Sequence, residues 1–143
     1  MAGATHYLQQ MFLNVLFRTQ TAYKPAAIYI GLFTVNPTDS GGGTEASGGN
    51  YARPQVTQLD ANWSAPTAAS PSVTDNVSAI QWTGVTWTGT VTGWGIFDAV
   101  TTGNLLIWFD CADQVVASGN DVRFAAGGAI AAVFTAPVVA IPA

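Results

Sequence analysis

Charged side chains are scarce in this chain. Only four lysine and arginine residues and eight aspartate and glutamate residues occur among 143, whereas about a quarter of an ordinary soluble domain is charged. A solitary soluble protein normally keeps a densely charged surface. The scarcity therefore favours a protein that packs against copies of itself or against a larger assembly, and it leaves few titrating groups for acid–base catalysis.

Histidine and cysteine each occur once, which excludes several kinds of catalytic site, metal site and disulfide. His6 is the single imidazole, so a Ser-His-Asp or Cys-His centre has no other base to use, and a histidine-rich metal site is excluded. Cys111 cannot form a disulfide within the chain, and one thiolate does not make a zinc site. We expect Cys111 to be a small buried residue, and we predict no catalytic residue, no cofactor and no metal.

Clustered basic residues and uninterrupted apolar runs are also missing. The basic residues are dispersed at Arg18, Lys24, Arg53 and Arg123, and the net charge is −4. Nucleic-acid binding needs clustered Lys and Arg, so we expect no nucleic-acid partner. Residues 124–143 carry no charge, but Gly and Pro interrupt them, which predicts a strand and an extended tail instead of a membrane span. Residues 1–17 lack the basic segment and the cleavage site of a signal peptide, so we expect no membrane partner.

Two patterns that can carry chemistry have simpler structural explanations. Paired carboxylates can hydrolyse glycosides, and Asp98, Asp110 and Asp113 lie close together in sequence. Aspartate is also favoured at strand ends and turns, and we prefer that interpretation. The glycine-rich segment 40–50 lacks the Lys-Ser/Thr pair of a phosphate-binding loop, and its Glu45 is expected to form an ion pair of modest value with an arginine.

The apolar periodicity predicts one helix followed by strands. Thr5 is a suitable N-cap, and the apolar spacing after it predicts an amphipathic helix over 6–18 with Arg18 in the last turn. The clearest hairpin joins residues 91–98 to 105–110 through a loop holding Gly103-Asn104. The other predicted strands are 27–34, 55–59, 77–82, 85–87, 115–116, 121–124 and 129–134.

Short strands at regular spacing predict a mainly β fold. We expect a β-sandwich or small β-barrel of about eight to ten short strands with one N-terminal amphipathic helix. The length fits one domain over residues 1–143, with the helix at 6–18, the β domain at 27–134 and an extended C-terminal arm at 135–143.

The tryptophans leave two interpretations open. Trp82, Trp87 and Trp94 fall in one short region, where alternating aromatic residues fill a sandwich core or a subunit interface. Exposed rings of this kind also stack on sugars. We favour the core or interface, and we keep a carbohydrate-binding module for host adsorption as an alternative.

Three segments resemble a family of small virion structural proteins of tailed bacteriophages. They are YIGLFTVNPTDSGGGTEASGGNYAR (29–53), VTGWGIFDAVTTGNLLIWFD (91–110) and SGNDVRFAAGGAIAAVF (118–134). Members of the family are labelled tail-fibre-like, minor capsid or head-decoration proteins. The resemblance implies a virion component, and the Ala/Val/Pro tail after Val133 departs from the family pattern.

The motif positions of this resemblance have structural interpretations. Gly31 allows a ring or a backbone to approach the central strand, and Arg53 is expected to anchor the glycine-rich loop through Glu45 or Asp39. The remaining positions shape the turn, the return to the sheet and the hairpin. The full set is Gly31, Pro37, Asp39, Glu45, Tyr51, Arg53, Trp94, Gly95 and Asp98.

These observations lead us to expect a non-enzymatic virion protein, made in the host cytoplasm, that forms a homo-oligomer, most simply a trimer. A capsid decoration or cement protein, bound to the major capsid protein on the outer head surface, is favoured. A tail component (a fibre, collar or baseplate-associated subunit) is the alternative. Deleting residues 136–143 is expected to weaken oligomerisation or particle binding. The expected inter-subunit contacts are Leu8, Met11, Phe12, Val15, Pro137, Val138, Val139 and Ile141.

Overall fold

The computed structural model describes residues 2–68 and 73–127. The predicted mainly β fold with one N-terminal helix is confirmed, because eight strands and one helix occur in this part of the chain. The predicted strand 129–134 and the arm 135–143, with Pro137, Val138, Val139 and Ile141, lie outside the described residues. The elements are β1 (Ala2–Ala4), α1 (His6–Phe17), β2 (Ile28–Val35), β3 (Thr44–Glu45), β4 (Gln55–Val56), β5 (Ile80–Trp82), β6 (Gly89–Phe97), β7 (Leu105–Val116) and β8 (Val122–Phe124).

Six strands form one antiparallel sheet. Their order is β1-β7-β6-β2-β3, and β4 also pairs with β2, while β5 and β8 pair with each other in a separate sheet. β2 therefore lies between β6 on one side and the short strands β3 and β4 on the other. Its sequence is apolar on both faces, as expected for a central strand. No helix within residues 2–68 and 73–127 is long and apolar enough to cross a membrane.

The predicted hairpin is confirmed, but its second strand is longer than expected. β6 pairs with β7 from Phe97↔Leu105 to Gly89↔Val116, with register shifts along the way. Residues 111–114, which separate the two predicted strands 105–110 and 115–116, continue the strand. A register shift leaves residues 111–113 opposite Thr92, and regular pairing resumes at Gln114. Asp113 lies in this irregular stretch and is exposed to solvent.

Two observed strands were not predicted, and one predicted strand is not formed. β1 pairs with β7 in the register Gly3↔Trp108, and β3 pairs with β2 inside the glycine-rich segment. Segments of two or three small or polar residues have no strand periodicity, so only the pairing identifies them. Residues 85–87 are not a strand: the Val85 N–H donates to Asn120 O and its carbonyl accepts from Gly119 N, at 2.9 and 2.7 Å.

The helix ends one residue before its predicted end. Thr5 is the N-cap, as predicted, and its side chain accepts a hydrogen bond from Leu8 N. Arg18 is the C-cap and not part of the last turn, because its φ of −133° and ψ of 169° are extended. Its N–H still closes the final bond to Asn14 O at 3.0 Å.

The chain divides into two compact units, of which the first contains Met1–Thr57 and Gln81–Val122. The helix and the six-stranded sheet belong to it. On one face of the sheet, Ile30, Leu32, Trp94 and Ile96 lie in adjacent registers and are almost fully buried. Their burial removes a large apolar area from water, which is the main force that holds this unit together.

The second unit contains Gln58–Ile80 and Arg123–Ala143. Asn76 organises its described part, since its side chain is fully buried and its Nδ2 donates to Ser78 O and Ala125 O at 2.9 and 2.8 Å. The backbone carbonyl of Asn76 accepts from Gly127 N at 2.8 Å. One buried amide thus connects two segments that are distant in sequence.

Candidate functional site

Two glycines face each other at the centre of the sheet, where rings pack closely over the backbone. Gly31 of β2 is paired with Gly95 of β6. A Cβ atom on Gly31 would lie 2.6 Å from Cε2 of Phe97, and one on Gly95 would lie 2.6 Å from Cδ1 of Leu105. A side chain at either position would collide with these neighbours, which confirms the close approach predicted for Gly31 and shows the same at Gly95.

Arg53 clamps the glycine-rich segment to the hairpin loop. Its Nε and Nη2 donate to Oε1 and Oε2 of Glu45 at 2.7 and 2.6 Å, and its Nη1 donates to the carbonyls of Ala99 and Thr102, both at 2.8 Å. The guanidinium carbon lies 3.4 Å from the centroid of the Phe97 ring. The predicted ion pair with Glu45 is confirmed. We expect this pair to be stronger than the modest one predicted, because Arg53 is 9 % exposed and the pair is bidentate.

Tyr51 extends this clamp into the central strand. Its hydroxyl donates to Glu45 Oε1 at 2.8 Å and accepts from Leu32 N at 2.9 Å. Burial, reinforced by the Glu45 charge, raises the pKa of Tyr51 far above its ordinary value, although Leu32 N and Arg53 act in the opposite direction. The phenol therefore stays neutral and donates, and its ring meets Trp87 edge-on at 5.6 Å between centroids.

Asp39 ties the turn before the glycine-rich loop to the helix and to β7. Its Oδ1 accepts from the indole Nε1 of Trp108 at 3.0 Å, and its carbonyl accepts from His6 N at 2.8 Å. The turn itself is closed by reciprocal backbone bonds between Thr38 and Gly41, and the preceding Pro37 is buried. The predicted turn is therefore confirmed, whereas the anchoring of Arg53 is made by Glu45 and not by Asp39.

Asp98 closes the loop of the β6–β7 hairpin. Its carboxylate accepts from the backbone N–H and the side-chain Nδ2 of Asn104 at 2.6 and 2.8 Å, and from the Tyr23 hydroxyl at 3.3 Å. Burial by itself would raise the pKa of Asp98, but these hydrogen bonds outweigh it and lower the pKa below its ordinary value. Behind the loop, Trp94 stacks on Phe109 with centroids 4.2 Å apart, so both predicted hairpin residues have the structural role expected of them.

The structure does not bring the three aspartates together. Asp98 lies at the loop end of the hairpin, whereas Asp110 is paired with Gly93 further along the ladder. Asp110 and Asp113 are exposed within β7 and do not lie in turns, which corrects the expectation for these two residues. Asp98 is therefore separated along the hairpin from the other two aspartates.

A cavity of about 400 Å³ lies beside the first turn of the helix, between the glycine-rich loop and the start of β7. Its polar lining includes His6, Asp39 and Glu45, but both carboxylates already accept hydrogen bonds from the protein. Within residues 2–68 and 73–127, no group of three or more His, Cys, Asp or Glu residues is placed to hold a metal ion. The cavity is therefore shaped by structural contacts that occupy its charged groups.

Cys111, which was expected to be a small buried residue, is half-buried on β7. Burial, followed by the charges of Asp110 and Asp113, raises the pKa of its thiol above the ordinary value. A raised pKa keeps the thiol protonated at neutral pH, which makes it a poor nucleophile.

The tryptophans of the first unit fill its interior. Trp82, Trp87, Trp94 and Trp108 are each at most 6 % exposed, and the indole N–H of Trp82 donates to Ala52 O at 2.8 Å. The favoured core interpretation is therefore confirmed for Trp82, Trp87 and Trp94. These rings present no open face on which a sugar can stack.

The helix is anchored at its first residues. The Thr5 hydroxyl donates to Leu105 O at 2.6 Å, and Thr5 N donates to Leu106 O at 2.9 Å. The Gln9 side chain donates to Ala4 O at 2.6 Å. These contacts attach the start of the helix to β7 and β1. None of the twelve residues of the helix is buried.

The predicted contact face of the helix divides into two parts. Leu8 and Met11 are half-buried, whereas Phe12 and Val15 are exposed. The structure adds four exposed apolar residues that we did not include: Tyr7, Leu13, Leu16 and Phe17. The signal was the segment FLNVLF, which is apolar around nearly its whole circumference. A search for one apolar stripe selects only part of such a helix.

Comparison with known families finds a match over residues 3–131 to the family described as Podophage GP4 fiber I protein gp80. The matched range includes the helix and all strands from β2 to β8. No curated protein matches the chain. The bacteriophage structural family inferred from the three sequence segments is thereby confirmed.

Proposed function

Because this chain belongs to the family of podophage GP4 fiber I proteins, we propose that it is a structural subunit of a bacteriophage fibre or of a related tail appendage. Family membership makes it a virion structural protein. The observation that carries the finer proposal is the length of the match, which includes nearly the whole sheet and the helix. A fibre subunit needs a rigid fold and association surfaces, and the buried clamps and the exposed helix supply both.

We propose that the protein is not an enzyme. In support, the single imidazole of His6 is exposed at the helix start, and the Cys111 thiol is kept protonated by its raised pKa. The carboxylates of Asp39 and Glu45 are held by Trp108 and Arg53. The Cys111 thiol is thus protonated, and the carboxylates of Asp39 and Glu45 are engaged in structural bonds.

The proposed partners are other copies of the chain and neighbouring virion proteins. The scarcity of charge favours packing against protein surfaces. Nucleic acid is not a proposed partner, because Arg53 forms an ion pair with Glu45 and the other basic residues are dispersed along the chain. Membranes are likewise not proposed as partners.

The outer capsid surface, which the sequence analysis favoured, becomes the second candidate location. A cement protein would use the same exposed apolar surfaces to join capsomers, so the fold alone suits both locations. The description of the matched family favours the fibre. A carbohydrate-binding role through tryptophan stacking loses its support, because Trp82, Trp87 and Trp94 are buried.

The copy number in purified virions separates the two locations. We expect quantitative mass spectrometry against the major capsid protein to give a small number of copies per particle. Immunogold labelling of the same virions is expected to mark the tail. A copy number comparable to that of the shell protein, with label over the head, would overturn the fibre proposal and establish capsid decoration.

A further inference from the structure

α1 exposes an apolar surface that is unusual for a helix on a folded protein, and most of it lies in the second half of the helix. The side chains concerned are uncharged and between 36 % and 78 % exposed. A helix that is apolar all round is normally buried, and an isolated helix of this length is marginal in water. We name these side chains the helix patch; they are Tyr7, Phe12, Leu13, Val15, Leu16 and Phe17.

The area of the helix patch is that of an interface. A phenylalanine or tyrosine presents roughly 150–250 Å², and with the smaller aliphatic residues the patch exposes on the order of 600 Å². The largest apolar patch on a typical monomer is about 300–600 Å². Each partner in a stable protein interface contributes about 800 Å², so the patch supplies most of one side.

The geometry of the patch fits a bundle of several helices. At about 100° per residue, Phe12, Leu16, Leu13 and Phe17 span an arc of roughly 140°. The half-buried Leu8 and Met11 lie outside this arc. Two exposed members of the patch also lie outside it: Val15, which falls between Leu8 and Met11 around the helix, and Tyr7. A two-stranded coiled coil uses a narrower seam, whereas a helix in a bundle of three or more contacts two neighbours at once.

The charge pattern favours identical copies as the occupant. No acidic or basic residue occurs from Tyr7 to Phe17, so identical helices meet without like-charge repulsion, which ordinarily opposes such pairing. Phe12 and Phe17 lie at the two edges of the arc, so in a cyclic bundle one edge of each helix meets the opposite edge of the next. The scarcity of charge over the whole chain agrees with association of this kind.

We propose that the helix patch is the surface through which three or more copies of this chain associate, forming a bundle of their α1 helices. Thr5 and Asp39 fix the start of the helix on its own sheet, so the second half of α1 projects into the bundle. This inference names the partner surface of the proposed fibre subunit. Its place in the virion rests on the proposed function, but self-association is measured on the purified protein, so either can fail alone.

Analytical ultracentrifugation of the purified full chain tests the proposal. We expect the wild type to sediment as three or more copies and the variants Leu13→Glu and Phe17→Glu to sediment as monomers. Both residues are exposed, so near-ultraviolet circular dichroism of the buried tryptophans is expected to remain unchanged. Val100→Glu is the matched control: Val100 is about as exposed as Leu13 but lies in the hairpin loop, and we expect it to keep the wild-type mass.

A monomeric wild type, or charged helix variants that keep the wild-type mass, would overturn the proposal. Deletion of residues 128–143 tests the alternative that the C-terminal segment of the same chain binds the helix patch. If the wild type is a monomer and the deletion makes it associate, that segment covers the helix and the proposal is wrong. If the deletion leaves the oligomer intact, the proposal is supported.

A cross-link reports the contact directly. In a Cys111→Ser background, Leu16→Cys is expected to give covalent dimers on mild oxidation, because the same position of two copies approaches in a symmetric bundle. The matched variant Val100→Cys is expected to stay monomeric on a non-reducing gel. Equal cross-linking of the two variants would contradict a contact through the helix.

Discussion

At the scale of single residues, Arg53 joins the glycine-rich segment to the hairpin loop through four hydrogen bonds. Its guanidinium serves Glu45 and two loop carbonyls at once, and a lysine cannot reproduce this planar fork. We expect Arg53→Lys to lower the free energy of unfolding by about 2–3 kcal/mol, because carbonyls and a carboxylate are left without donors. Urea denaturation followed by tryptophan fluorescence measures the change.

Arg123→Lys provides the control for that substitution. Arg123 is exposed, and surface replacements usually change the free energy of unfolding by less than about 0.5 kcal/mol. Equal effects of the two substitutions would show that the Glu45 pair behaves as an ordinary surface pair, as the sequence by itself indicated.

Asp98 gives the protein a pH dependence of known sign. Hydrogen bonds from Asn104 lower the folded-state pKa of Asp98 below the ordinary value of 3.8 despite its partial burial. Its stabilising contribution is therefore fully present above the ordinary pKa and is lost as the pH falls through the lower folded-state pKa. We expect Asp98→Asn to reduce the fall in unfolding free energy below about pH 4. An identical acid profile in both proteins would count against this assignment.

At the scale of elements, the cap of α1 is the most informative residue to change. Thr5 is buried, and its hydroxyl accepts from Leu8 N and donates to Leu105 O. We expect Thr5→Ala to destabilise the protein by about 1 kcal/mol and to reduce the helical signal in far-ultraviolet circular dichroism. Thr5→Ser keeps the hydroxyl oxygen, so we expect it to retain most of the unfolding free energy and most of the helical signal. A serine variant that is destabilised as much as the alanine variant would show that the Thr5 methyl group, and not its hydroxyl, supplies the stability.

The centre of β6 tests how tightly the sheet is packed. A Cβ atom on Gly93 would lie 2.6 Å from Phe109 O and would also collide with the Asn36 side chain, whereas one on Gly89 would meet only Thr34 Cγ2 at 3.4 Å. We expect Gly93→Ala to cost about 1–3 kcal/mol of unfolding free energy, as overpacking does elsewhere. Gly89→Ala, in the same strand, is expected to be nearly neutral. The melting temperatures of the two variants test this: equal values would show that the backbone at Gly93 shifts to accommodate the added Cβ atom.

At the scale of the whole molecule, self-association couples stability to concentration. If copies associate through the helix patch, the melting temperature rises with protein concentration, because binding that is confined to the folded state stabilises it. We expect this dependence in the wild type and its absence in Phe17→Glu. Differential scanning calorimetry at several concentrations measures it, and a melting temperature that is independent of concentration in both would contradict the association.

Local sequence rules predicted the elements whose causes lie within a few residues. Thr5 caps the helix because its oxygen meets the N–H of a residue in the first turn. The Gly103-Asn104 loop joins β6 to β7, and glycine at 103 is required because its φ is +71°. The Glu45–Arg53 pair was also predictable, since eight residues and one short loop separate the two charges.

Long-range pairing and burial decided the rest. β1 exists because Gly3 meets Trp108, more than a hundred residues later in the chain, and its own sequence has no strand pattern. The burial that makes the Arg53 clamp strong comes from Phe97 and from loop carbonyls that no local rule places nearby. The sequence by itself determined the mainly β class, the helix start and the family; only the tertiary structure decided which side chains of the helix stay exposed, because exposure depends on which other elements pack against the helix and not on the order of residues in it.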